Sequence, residues 1–168
     1  MYRLALIGGR GYAGAELLKL IARHPKITLA LASSDSHASR PIAATVPEWP
    51  DTDQCFEALQ PDGVSEVEAE IWVLALPNGC SQPWLTAIGQ AHPDAVVLDL
   101  GADWRFDRHW VYGLTELNRE ALGSARRIAN PGCYATGSLF GLWPIRRALA
   151  APPVVFGVSG YSGAGKTP

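Results

Sequence analysis

The first fourteen residues constrain this chain more than any other stretch. Tyr2–Ile7 is a short apolar, β-prone run that ends in glycine, and Gly9-Arg10-Gly11-Tyr12-Ala13-Gly14 follows with the spacing G-x-G-x-x-G. Gly8 adds a G-x-x-G-x-x-G reading. Behind the glycines, Leu17, Leu18, Leu20 and Ile21 recur at helical spacing over Ala13–His24, and Pro25 stops the helix. Strand, glycine turn and helix is the context in which such glycines have a physical task. They permit a tight turn, let the backbone approach a pyrophosphate, and leave the N–H groups and dipole of the helix facing it. The bland alternative is an ordinary glycine-rich βα turn. The context favours a dinucleotide site formed by Gly8, Gly9, Arg10, Gly11, Tyr12, Ala13 and Gly14.

The rest of the chain repeats the alternation. Ile27–Ala32 reads as a second strand, Ile71–Leu76 as a third, Val96–Leu100 as a fourth. The third is almost continuously apolar, as expected of a parallel strand covered on both faces. Ser81 is placed to N-cap a helix running to Ala91, with Pro83 in its first turn. Residues 33–70 are rich in Ser, Pro and Asp, with a short helix expected around Gln54–Leu59, and Gly137–Leu149 reads as a further helix. Strands alternating with helices predict an α/β fold: a doubly wound, Rossmann-type parallel sheet over residues 1–151. Pro152-Pro153 then breaks the chain before an expected strand at Val154–Val158. The sixteen residues after Pro152 are too few for a domain, so residues 152–168 are expected to begin a truncated second domain of α+β type, for substrate and dimerisation.

Composition narrows the partners. With 14 basic and 16 acidic side chains among 168 residues, a formal charge of −2 gives no electrostatic case for nucleic acid or an anionic membrane. No apolar run approaches the roughly 18 residues needed to span a bilayer, and the N-terminus has no signal-peptide cleavage pattern. Three cysteines at irregular spacing, Cys55, Cys80 and Cys133, point to neither a disulfide framework nor a zinc site. A cytoplasmic α/β protein without a metal is the expectation.

The identity of the dinucleotide stays open at the level of residues. Asp35, about 20 residues beyond Gly14, fits the acid that holds the ribose of NAD. Ser33 and Ser34, at the end of the second strand, could instead donate to the 2′-phosphate of NADP, and the latter is the expected cofactor.

Ile128-Ala129-Asn130-Pro131-Gly132-Cys133-Tyr134-Ala135-Thr136-Gly137 carries the chemistry. An apolar approach leads through a Pro-Gly turn to a cysteine that opens a helix. The positive end of a helix dipole favours thiolate, the form a nucleophile needs. Cys55 and Cys80 read as small apolar residues.

This stretch resembles the active-site signature of the N-acetyl-γ-glutamyl-phosphate reductases, the NADPH-dependent enzymes of arginine biosynthesis. The resemblance runs along essentially the whole chain. Asp99-Leu100-Gly101-Ala102-Asp103-Trp104-Arg105 is similar to the family's Asp-Leu-Ser-Ala-Asp-Phe-Arg. Tyr112-Gly113-Leu114-Thr115-Glu116-Leu117 is similar to its Tyr-Gly-Leu-Pro-Glu-Leu, and Ala75-Leu76-Pro77-Asn78-Gly79 to its Ala-Leu-Pro-His-Gly. Gly101, Thr115 and Asn78 depart from the family residues. The resemblance implies that Cys133 attacks an acyl phosphate to form a thioester, which NADPH reduces to a semialdehyde. It implies cofactor contact at Pro77, substrate contacts at Arg105, Asn130 and Gly132, and a homo-oligomer at full length. Arg105 equally fits a surface ion pair with Asp103 or Asp107. The family's acid/base histidine comes from the second domain, and His24, His37, His92 and His109 lie in no matching motif. The resemblance leaves two neighbouring readings: related reductases of aminoadipate or aspartate semialdehyde, and a cofactor-binding fragment without turnover. Finally, Gly160-Tyr161-Ser162-Gly163-Ala164-Gly165-Lys166-Thr167 satisfies the P-loop pattern. It also resembles the loop that opens the reductases' substrate domain, and an ATPase is the least favoured reading.

Overall fold

The computed structural model describes residues 1–160 and Gly163. Six parallel strands form one sheet: β1 (Tyr2–Ile7), β2 (Ile27–Ser33), β3 (Ile71–Leu74), β4 (Val96–Asp99), β5 (Val111–Tyr112) and β6 (Arg127–Ala129), in the spatial order β2-β1-β3-β4-β6-β5. Four helices connect or follow them: α1 (Tyr12–Ala22), α2 (Gln82–Ala91), α3 (Thr115–Leu122) and α4 (Cys133–Leu142). The chain leaves β1 for β2 on one side and returns to β3 on the other. The carboxyl ends of β1 and β3 therefore flank the point where the winding reverses, which is where doubly wound sheets bind ligands.

Strand alternation distributes the core over both faces. Leu4, Leu6 and Val73 point to the face covered by Leu18 and Ile21 of α1 together with Ile42, Trp49 and Phe56. Ala5, Ile7, Trp72 and Leu74 point to the opposite face, under Trp84 and Ile88 of α2. Burial on both sides explains why these strands read as unbroken apolar runs rather than as alternating ones.

The structure corrects three expectations from the sequence. Residues 54–59 are extended, not helical: Cys55 bridges Pro41, Glu57 bridges Ser33, and Phe56 between them enters the core. A single inward side chain flanked by outward ones follows the period of a strand. Helix α4 ends at Leu142 rather than at Leu149, because Pro144 lacks the N–H that would extend the ladder and its ring crowds the preceding turn. Residues 154–158 form no strand, since no neighbour among the described residues offers them a ladder. Val154, Phe156 and Val158 are exposed there. Helix α4 is also unusual in composition, carrying no charged residue yet contributing no buried one. Lys166 and Thr167, on which the P-loop pattern depends, lie outside the described residues. Among the described residues no helix is long and apolar enough to cross a membrane.

Leu18 is fully buried where α1 meets the sheet. Leu18→Ala is expected to lower stability by about 2–5 kcal/mol, the usual range for a buried leucine truncated to alanine, measured as a lower urea midpoint with little change in slope.

Candidate active site

The predicted cofactor and substrate residues and Cys133 lie at or just beyond the carboxyl ends of β1, β2, β3, β4 and β6. The glycines of the first turn each have a distinct reason to be glycine. Gly8 has φ +87°, and a Cβ on it would collide with the carbonyl of Ala75 beyond β3. At Gly9 a Cβ would lie 2.9 Å from the Phe56 ring, and at Gly14 it would lie 2.8 Å from the Gly9 backbone. Gly11 differs. Its Cβ would meet nothing nearer than the Gly8 carbonyl oxygen at 3.8 Å, so the space beside it belongs to no protein atom. Gly11 is also the N-cap of α1, which has no side-chain cap and no acid in its first turn. The positive end of α1 thus faces an open cradle of the kind a pyrophosphate fills. Arg10, Tyr12 and Ala13 border the cradle.

Ser33 ends β2 and Ser34 follows it, and both are buried. The Ser33 hydroxyl accepts a bond from Gly8 N–H at 3.3 Å, and Gly9 N–H donates to the Ser33 carbonyl at 2.8 Å, so β2 props the glycine turn directly. Ser34 N–H donates to the Glu57 carbonyl, while Asp35 is exposed. Pro77 is exposed beyond β3, on the far side of the crevice.

Cys133 is the first residue of α4 and is exposed, with Gly132 as N-cap. No side chain caps this helix either, and no acid occupies its first turn. The thiol opens into a cleft of about 540 Å³ between α4, at Tyr134 and Ser138, and the chain at Phe156 and Ser159. Arg105 is not paired with Asp103 or Asp107. Its Nε donates to the Asn130 carbonyl at 2.9 Å and its Nη2 to the Leu100 carbonyl at 3.3 Å. These bonds lay the guanidinium on Gly132, where a Cβ would sit 2.8 Å from Nη1. Asn130 is held by the Asp99 carbonyl, which accepts its N–H at 2.8 Å. Arg105, Asn130, Gly132 and Cys133 therefore form one cationic corner at a helix start.

The four histidines are engaged elsewhere. His24 accepts from Lys26 N–H, His37 meets Phe56 edge-on, His92 stacks on Trp72, and His109 lies beside Asp107.

The family model for the NAD-binding domain of semialdehyde dehydrogenases matches residues 3–125. The chain belongs to the semialdehyde dehydrogenase family. Curated relatives named N-acetyl-gamma-glutamyl-phosphate reductase, from Stenotrophomonas maltophilia and Xylella fastidiosa, are each 46% identical over 167 residues. These alignments cover 99% of this chain and 52% and 50% of those proteins. The chain spans about half the length of the curated relatives it matches. Their alignment extends past the matched family domain through Cys133. Among solved structures, aspartate semialdehyde dehydrogenase II of Vibrio cholerae, crystallised with ASA, superposes with a TM-score of 0.71 at 21% identity, covering 99% of this chain and 48% of that one. Aspartate semialdehyde dehydrogenase of Candida albicans with NADP superposes with a TM-score of 0.64 at 13% identity, over 88% of this chain and 47% of that one. These likenesses bear out the fold.

Sequence reasoning missed one residue of this semialdehyde dehydrogenase domain. Asp99 hides in the apolar run Val97–Leu100, and its side chain is 1% exposed with neither carboxylate oxygen in a well-formed hydrogen bond among the described residues. Burial pushes its carboxyl above the ordinary value of 3.8. The Gly101 N–H offsets part of this, Asp103 adds to it, and Arg105 pulls it back. Gly101, where the resembling reductases have serine, leaves the carboxylate without a neighbouring hydroxyl. A Cβ at Gly101 would already lie 3.1 Å from Oδ2.

An acid raised in the folded state favours folding while protonated, and that contribution is lost as pH climbs from the unfolded value through the folded one. Asp99→Asn, which keeps the shape without the charge, is therefore expected to be more stable than the parent near pH 7. The gain in urea midpoint should shrink toward zero as pH falls to about 4. A gain independent of pH would show that the charge of Asp99 is not what destabilises the parent.

Proposed function

We propose that this chain is the cofactor-binding and nucleophile-bearing part of an NADPH-dependent acyl-phosphate reductase. The proposed reaction converts N-acetyl-glutamyl 5-phosphate to N-acetyl-glutamate 5-semialdehyde and phosphate, a step of arginine biosynthesis. The names of the 46%-identical relatives support the substrate. The observation that carries the reaction type is the guanidinium of Arg105 laid on Gly132, next to the thiol of Cys133 at the start of α4.

The residues divide the work. The cradle beside Gly11 and the N–H groups opening α1 would hold the pyrophosphate, with Gly8, Gly9, Arg10, Tyr12, Ala13, Gly14 and Pro77 as the further cofactor contacts. Ser34 and the hydroxyl of Ser33, which keeps its own proton to donate, would hold the 2′-phosphate that distinguishes NADP. Cys133 thiolate attacks the acyl carbon, a C–S bond forms, and the C–O bond to phosphate breaks. Arg105 takes charge developing on the departing phosphate, which a guanidinium binds in two-point fashion. The backbone N–H groups at the start of α4 hold the oxyanion, and Asn130 and Gly132 shape the pocket around the acyl group. When bound, the dinucleotide supplies the hydride that reduces the thioester. The thiolate leaves as the semialdehyde forms. We place the domain boundary at Pro152, with residues 152–168 beginning the substrate and dimerisation domain, and we propose a cytoplasmic homo-oligomer at the relatives' length. No histidine among the described residues contacts Cys133. That supports the secondary reading that the 168 residues alone bind cofactor with little turnover.

Three measurements test this. Gly11→Val should abolish NADPH binding in direct titration while leaving the thermal midpoint nearly unchanged, because its side chain enters ligand space rather than protein. Undiminished affinity would remove the cradle from the proposal. In the protein at the length of its relatives, Cys133→Ser should lose phosphate-dependent semialdehyde oxidation yet still bind NADPH. Cys133 should also be alkylated near neutral pH faster than Cys80, which is exposed as well. An active serine variant would overturn the thioester route.

A further inference from the structure

Three loops meet beyond the strand ends, after β3, β4 and β6, and Asp103, in the second, reaches the first. Its Oδ2 accepts from Gly79 N–H at 2.7 Å and from the Ser81 hydroxyl at 3.2 Å. The Ser81 oxygen in turn accepts from Trp104 Nε1 at 2.8 Å, and Trp104 stacks on Trp110 with centroids 5.3 Å apart. A parallel bond runs from Ala102 N–H to the Asn78 side-chain oxygen at 3.0 Å. Two residues beyond Asp103, Arg105 reaches the Asn130 carbonyl and Gly132.

Ser81 shows that this arrangement overrides a local preference. It precedes α2 at the N-cap position, where a serine normally bonds the helix N–H groups for about 1 kcal/mol. Here it makes no cap bond, and its side chain, 2% exposed, turns to Asp103 and Trp104. Gly79 reaches Asp103 through a left-handed turn at φ +82°. The glycine N–H and the serine hydroxyl are thus both committed to one carboxylate.

We propose that Asp103 is a positioning residue for the reaction. It fixes the Pro77–Ser81 loop, on the cofactor side, to the loop that carries Arg105, on the phosphate side, so that the two halves of the crevice move as one body. The inference rests on the reductase reading for its kinetic consequence but not for the clamp itself. Asp103 touches neither reacting group and acts through Gly79, Ser81 and the backbone leading to Arg105.

The test uses the protein at the length of its relatives, with Asp103→Ala, Asp103→Asn and Ser81→Ala compared in phosphate-dependent semialdehyde oxidation and in amide hydrogen exchange. Asp103→Ala should raise KM for NADP and for phosphate together, each by about tenfold, the effect of losing one charge-assisted hydrogen bond. Asp103→Asn should recover most of both, since its amide oxygen still accepts from Gly79 N–H. Ser81→Ala, which cuts one arm, should fall between. Exchange should quicken in the Gly79–Ser81 segment and around Arg105 in the alanine variant. A rise in only one KM, or an asparagine variant as impaired as alanine, would overturn the proposal. If the parent shows no turnover, the reductase reading fails on its own, and exchange decides the clamp. Quickening at both loops then supports it, and unchanged exchange at either overturns it.

Discussion

The close passage of Gly8 beneath the Ala75 carbonyl is the constraint on which the rest depends. It occurs where β1 and β3 end side by side and the winding reverses, and no side chain can be added there without collision. Because β1 is buried on both faces and paired on both edges, its end cannot shift to relieve such a clash. The glycine turn is therefore held from three directions: by Ser33 from β2, by Ala75 from β3, and by Gly9 against Gly14 from the helix that follows. Rigidity at this corner leaves the opening at Gly11 as a fixed shape, and a preformed site loses less entropy on binding than one that must be ordered.

The site uses backbone more than side chains. Two helices, α1 and α4, start at the same edge of the sheet, and neither start carries a side-chain cap or an acid. Each leaves N–H groups directed at the crevice, where a pyrophosphate and a developing oxyanion would make opposite ends of one reaction. Arg105 is the principal side-chain cation at this corner, and it is anchored through carbonyls rather than through a carboxylate. A guanidinium held this way keeps its full positive charge for a ligand, whereas an ion pair with Asp103 would have neutralised it.

Much of this was legible in the sequence, and the reasons are local. The glycine turn, its flanking strand and helix, and the start of α4 at Cys133 depend on residues adjacent in the chain, so spacing reports them. The extended path of residues 54–59 was not legible, because it depends on Pro41 and Ser33 as bridge partners and on a core vacancy for Phe56. The early end of α4 was present in the sequence as Pro144 and was outweighed by the apolar residues around it. Asp99 and Asp103 stand in one short motif, but only folding buries the first and brings Gly79 and Ser81 to the second. The same limit applies to Arg105, for which nearby aspartates in sequence proved a poor guide to partners in space.

Helix α4 has a consequence of a different kind. Tyr134 and Phe140 are exposed on this uncharged helix, Trp143 is exposed just past its end, and Ile145 and Phe156 are exposed in the chain that follows. A surface of this sort is stable in water only when something packs on it, and left open it sticks to whatever else is apolar. For anyone producing these 168 residues by themselves, solubility rather than folding becomes the practical barrier. Cys133 sits at the head of that helix, so any self-association through it will also hide the thiol.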